Sequence, residues 1–238
     1  MGGPLTVFEF VGLPGAGKTT LARALLARLA AQGRACGSGD TIGRLGHSRV
    51  SHLTRLTGFT LARGRYLPSI WRLAAAVKPP TAARTRFAAK LAVWPYRFSV
   101  ARTRGYETLV LDQGILQSAW CVLLEGSLRR EDLLREAIEE IFVGCRASFA
   151  FISVDLDVQS AAERIEARDW RDAPFDRGKQ ETLRLLTQHA EQLDRVVAAG
   201  VHATGAPLLR VDSTRPPEEN AARIDAFVDE VLGSVVCR

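Results

Sequence analysis

Near the N-terminus, Gly12-Leu-Pro-Gly-Ala-Gly17-Lys18-Thr19 follows the pattern G-x-x-x-x-G-K-[ST] without deviation. Each residue type in it has a definite chemical use. The glycines let the backbone turn tightly and aim successive N–H groups at one point, where phosphate oxygens are held. A helix opening near Lys18 adds the positive end of its dipole. Lys18 is placed to reach β- and γ-phosphates, and the Thr19 hydroxyl to ligate Mg²⁺. The expected nucleotide contacts are Gly12, Pro14, Gly15, Ala16, Gly17, Lys18, Thr19 and Thr20. The ligand expected there is ATP or another nucleoside triphosphate, with Mg²⁺.

Other side chains offer chemistry at a distance in sequence. Asp112 closes the apolar run 108–111. There a carboxylate can hold Mg²⁺ through water or accept a proton from an acceptor hydroxyl, or simply cap the helix that follows. Arg164, Arg168 and Arg171 recur at i, i+4 and i+7 and share one helical face. That face can close over the γ-phosphate, with Arg168 and Arg171 as the expected contacts. Glu163, Glu166, Asp169 and Asp172 are equally placed to pair with it as a salt-bridged surface. Asp40 is an expected substrate contact, as a base or a hydroxyl acceptor, or else a loop cap; Arg44 is a second. The four histidines lack ligand spacing, and the four cysteines lack paired spacing, so neither a metal knuckle nor a disulfide framework is expected.

These residues need elements to position them. Residues 5–11 form a β-rich run with Glu9 as the one discordant member, and leucines at 21, 25 and 29 give helical spacing up to Gly33. A short second strand is expected over 34–36, with 37–40 as a loop. Strands are expected again over 108–111, 148–154 and 207–211, and helices over 116–124, 128–142 and much of 159–199. Pro216-Pro217-Glu218-Glu219 after Ser213-Thr214 opens a last helix. Strands alternating with helices predict a parallel sheet covered on both faces, with ligands at the carboxyl edge.

The charge is uneven. Residues 41–106 hold thirteen of the 32 Arg and Lys and no Asp or Glu, while the other nineteen stand against 26 acidic residues. Such a block attracts a polyanion, whether a phosphorylated substrate, nucleic acid or an anionic membrane, or else it is a solvated face. Arg84, Arg86 and Lys90 are expected on the outer surface. Tyr66, Trp71, Phe87, Trp94, Tyr96 and Phe98 lie among these arginines, as core, acceptor pocket, stacking platform or membrane interface.

Switch-type GTPases need D-x-x-G, but Asp112-Gln113-Gly114-Ile115 lacks the final glycine; they also need N-K-x-D, and none of the four lysines follows an Asn. The pattern resembles the thymidylate kinase and deoxynucleoside kinase group of P-loop small-molecule kinases. Leu109-Val-Leu-Asp112-Gln-Gly114 stands where those enzymes carry a strand ending in Asp-Arg. Ile152-Ser-Val-Asp-Leu-Asp157, then Arg164 and Arg168, resembles their strand leading into an arginine-bearing lid, with Pro174-Phe-Asp-Arg177 at its far end. Val211-Asp-Ser-Thr214 resembles the loop beside the nucleobase, which implies Ser213 and Thr214 as nucleotide contacts. Two departures stand out: Asp-Arg is Asp112-Gln113 here, and Gly39-Asp40 replaces an Arg-Glu-Pro after the second strand.

The fold expected is a three-layer α/β P-loop NTPase with a five-stranded parallel sheet. One domain over 1–238 would carry a helical acceptor segment at 40–106 and a lid at 159–180. The function expected is ATP- and Mg²⁺-dependent phosphoryl transfer to a small, anionic acceptor in the cytoplasm. A regulatory ATPase docking on nucleic acid or membrane is the alternative, and a homodimer is left open.

Overall fold

In a computed structural model, residues 5–43, 59, 64–78, 81–124, 126–128, 130–167 and 178–236 are described. Five strands form one all-parallel sheet in the order β2-β3-β1-β4-β5. They are β1 (Thr6–Gly12), β2 (Cys36–Ser38), β3 (Thr108–Leu111), β4 (Ser148–Asp155) and β5 (Leu208–Asp212). The central strand β1 is buried along its whole length, as expected where helices cover both faces. Its alternation sorts the core. Val7 and Val11 join Leu109, Leu111, Phe149 and Phe151 on one face; Phe8 and Phe10 join Val110, Ile152 and Val154 on the other. Glu9 shares the Val7 face and is fully buried.

The second face is covered by α1 (Lys18–Ala31) and α10 (Pro217–Val236), through Leu21, Leu25 and Leu29 on one and Ile224, Val228 and Leu232 on the other. The first face carries α3 (Leu67–Ala76), α4 (Ala82–Ala92), α5 (Trp94–Thr103), α6 (Ile115–Leu123), α7 (Glu131–Cys145), α8 (Val158–Glu166) and α9 (Lys179–Thr204). A short helix α2 (Gly39–Gly43) follows β2 directly. The expected three-layer α/β architecture is present. Among the described residues no helix is long and apolar enough to cross a membrane.

Three expectations are corrected. The second strand lies two residues later than expected, so Gly37 and Ser38 pair with Leu109 and Val110 instead of forming a loop. A side chain there would be crowded: a Cβ on Gly37 would stand 3.2 Å from the Tyr106 ring. Helix α9 runs past residue 199 to Thr204, where Gly205 turns left-handed at φ 62°. Arg84 does not face outward; it is 3% exposed. It donates to the carbonyls of Val77, Val122 and Leu124 at 3.0–3.2 Å, closing the C-terminal end of α6. Arg86 and Lys90 are exposed as expected. The aromatics divide likewise: Tyr66, Trp94, Tyr96 and Phe98 are core, and Trp71 is exposed.

Candidate functional site

The glycine-rich loop leaves β1 at its carboxyl end and enters α1. A Cβ on Gly12 would lie 2.5 Å from the Val154 carbonyl oxygen, so β4 admits only glycine there. Gly17, the N-cap of α1, is left-handed at φ 88°. Lys18 is buried and folds back on the loop, donating to the carbonyls of Gly12 at 2.9 Å and Leu13 at 2.8 Å.

Thr19 and Asp112 come together. The Thr19 hydroxyl donates to Asp112 Oδ2 at 3.1 Å, across 93 residues of sequence. The pairing of β1 with β3 sets these two carboxyl ends side by side. A hydroxyl and a carboxylate are hard oxygen donors and suit Mg²⁺, which takes few protein ligands and completes its shell with phosphate and water. Among the described residues no cluster of three or more His, Cys, Asp and Glu could hold a metal.

Beside the loop lies a cavity of about 520 Å³ lined by Ala16, Gly17, Thr20, Arg164, Ser213 and Thr214, with Asn220 and two prolines behind them. Ser213 donates to the Ala16 carbonyl at 2.7 Å. Arg164 donates to the Ser213 hydroxyl at 2.7 Å, to the Ser213 carbonyl at 3.1 Å and to the Gly15 carbonyl at 3.4 Å. It thus ties the loop to the turn after β5. Sequence reasoning ranked Arg164 behind Arg168 and Arg171. Those two lie outside the described residues, as does Arg44. Asn220 is 2% exposed and donates to the Asp212 carbonyl at 2.7 Å, with its Oδ1 buried and unpartnered.

On the other side of β1, Asp40 is exposed in the first turn of α2. The Arg97 guanidinium sits 4.9 Å over the Trp94 ring. Burial lowers its pKa, against the opposing pull of Asp40. Arg97 and Trp94 had only the general signal of aromatics interleaved with arginines. Trp94 is held by a 3.2 Å bond from its indole to Ser118.

Glu9 is the residue sequence reasoning left without a role, although a lone acid in an apolar strand was its signal. Its Oε1 accepts from the amides of Leu116 at 2.7 Å and Gln117 at 3.2 Å, and Oε2 is buried without a partner. Burial pushes its pKa up to about 7 against the pull of the α6 amides.

No protein-family model matches the sequence, and no curated protein does. Solved structures do. One of deoxyadenosine kinase from M. mycoides, with the products dCMP and a flexible dCDP bound, aligns over 94% of this chain and 99% of its own, at 13% identity and TM-score 0.51. Another of the same enzyme with dCTP bound covers the same shares, at 14% identity and TM-score 0.49. With the sheet, its order and the loop geometry on hand, the first likeness supports one statement: this chain has the fold of that kinase.

Proposed function

We propose that the chain is an ATP- and Mg²⁺-dependent phosphotransferase for a small acceptor, a nucleoside or nucleotide first among the classes to try. The observation that carries this reading is the Thr19–Asp112 pair next to Lys18. Phosphoryl transfer asks a protein chiefly to position two substrates and neutralise charge. Gly12, Gly15, Ala16 and Gly17 supply the amide cradle, and Lys18 exchanges its two carbonyls for phosphate oxygens. Thr19 and Asp112 would hold Mg²⁺, which spreads the charge of the β- and γ-phosphates when bound. Asp112 gives Oδ2 to Thr19, and its Oδ1 is available to take the acceptor hydroxyl's proton. The cavity by Ser213 and Thr214 takes the donor's base, and Arg168 and Arg171 act as lid contacts. Asp40, Arg44 and Arg97 meet the acceptor.

The docking reading is weakened by where the basic segment spends its charge. Arg84 is committed to three carbonyls, Arg102 to the carbonyls of Cys145 and Arg146, Arg104 to that of Thr41, and Arg72 to Glu136. These cations serve the fold. Incubation with γ-labelled ATP, Mg²⁺ and a panel of deoxynucleosides, their monophosphates and sugars tests the proposal. One class should take up label, and Asp112→Asn should lose about two orders of magnitude in turnover with ATP affinity held within a few-fold. ATP hydrolysis stimulated only by anionic vesicles or oligonucleotides, with no acceptor labelled, would replace it by the docking ATPase.

A further inference from the structure

The N-terminal amides of a helix need acceptors, and a Ser, Thr, Asp or Asn at the N-cap normally provides one. Helix α6 has none: its N-cap is Gly114, with no side chain to offer. Asp112 stands two residues upstream and would be the local candidate, yet its carboxylate accepts from the Thr19 hydroxyl rather than from an α6 amide. The acceptor comes from a distant strand. Glu9 Oε1 takes the Leu116 and Gln117 amides across more than a hundred residues of sequence.

The same residue acts on both ends of the corner. The backbone of Glu9 is in register with Leu111, the residue before Asp112. Its side chain grips the amides just beyond Gly114, so Asp112, Gln113 and Gly114 are pinned between two attachments to one residue of β1. Three residues further along, that strand becomes the phosphate loop. The fit is tight, since a Cβ on Gly114 would lie 2.4 Å from Glu9 Cδ. We infer that Glu9 is the positioning residue for Asp112: by capping α6 in its place, it frees that carboxylate and fixes its distance from Thr19. This rests on the reading of Asp112 as the metal-side carboxylate.

The test is the affinity for a non-hydrolysable ATP analogue by calorimetry, with and without Mg²⁺, in the full chain. Wild type should bind more tightly with Mg²⁺, and Asp112→Asn should lower that ratio. Glu9→Leu should lower it by about tenfold, as loss of an outer support of a metal ligand does, with Mg²⁺-free affinity within about twofold. Glu9→Gln keeps an oxygen for the two amides and should restore the ratio. If Glu9→Leu fails to fold, Gly114→Ala displaces the same corner with Glu9 intact and should also lower the ratio. A wild-type ratio in folded Glu9→Leu or Gly114→Ala, while Asp112→Asn responds, overturns the positioning role alone. An equal loss with and without Mg²⁺ overturns it too, as general damage. A wild-type ratio in Asp112→Asn removes the metal-side reading and this inference with it.

Discussion

On the β4–β5 side of β1 the loop is cross-braced by Ser213 and Arg164 and borders a cavity of about 520 Å³. On the β3–β2 side, Asp40 is exposed and Arg97 rests on Trp94, with no hydrogen bond from its guanidinium among the described residues. The first side is wired to itself by hydrogen bonds, while on the second the Arg97 guanidinium meets a ring face and the charge of Asp40. Two arginines of the basic segment make the same contrast at close range. Arg84 spends its donors on three carbonyls, whereas Arg97 lies over a ring and feels the charge of Asp40. Arginines of one stretch of sequence therefore sit in two kinds of surroundings, one rich in carbonyl acceptors and one made of a ring face and a carboxylate.

The sharpest test of that contrast is Arg84→Ala. It removes a buried cation, opens a cavity and orphans three carbonyls, a loss of roughly 4 kcal/mol, or a fall of about 8–16 °C in Tm at this chain length. Arg97→Ala should leave Tm within a few degrees. Equal losses in thermal melts would erase the distinction.

A somewhat smaller effect sits on the strand between the two sides. Glu9 releases its proton near 4.5 when unfolded and near 7 when folded. The folded state therefore binds an extra proton between these values. Stability from this group is full below about pH 4.5, falls as pH rises, and is flat above about 7. Glu9→Gln never ionises and removes that slope. Its advantage over wild type in urea melts should grow from near zero at pH 4.5 to on the order of 3 kcal/mol at pH 8. A difference independent of pH would mean that Glu9 stays charged in the folded protein.

The smallest effect probes the braced side. Arg164→Ala removes the tie between loop and turn, and nucleotide affinity should fall by about tenfold, near 1.4 kcal/mol. Calorimetry with an ATP analogue measures it. An unchanged affinity would leave the bracing without consequence for binding.

What was legible in the sequence follows from what each feature demands. The tight turn between β1 and α1 is a backbone geometry that only certain residues permit, so the pattern of Gly12 to Thr19 announces it. Apolar runs and helical leucines place four of the five strands and the helices around them. Strand β2 is three residues long, and its Gly-Ser ending reads as a loop because the burial that makes it a strand comes from Tyr106 and Leu109, far along the chain. Arg84 read as a surface residue because its acceptors are backbone carbonyls, which carry no sequence signature. Glu9 was visible as an anomaly but not as a cap, since its partners lie over a hundred positions away.

The position of β1 in the sheet also sets a timetable. Its first neighbour, β3, begins at Thr108 and its second, β4, at Ser148. During synthesis at about 5–20 residues per second, the apolar β1 segment therefore waits roughly 5–20 s for a pairing partner. Throughout that interval Val7, Phe8, Phe10 and Val11 are exposed on the nascent chain. A strand buried along its whole length is thus made well before its partners, and pauses in translation before residue 108 lengthen the time in which chaperones must keep it from aggregating.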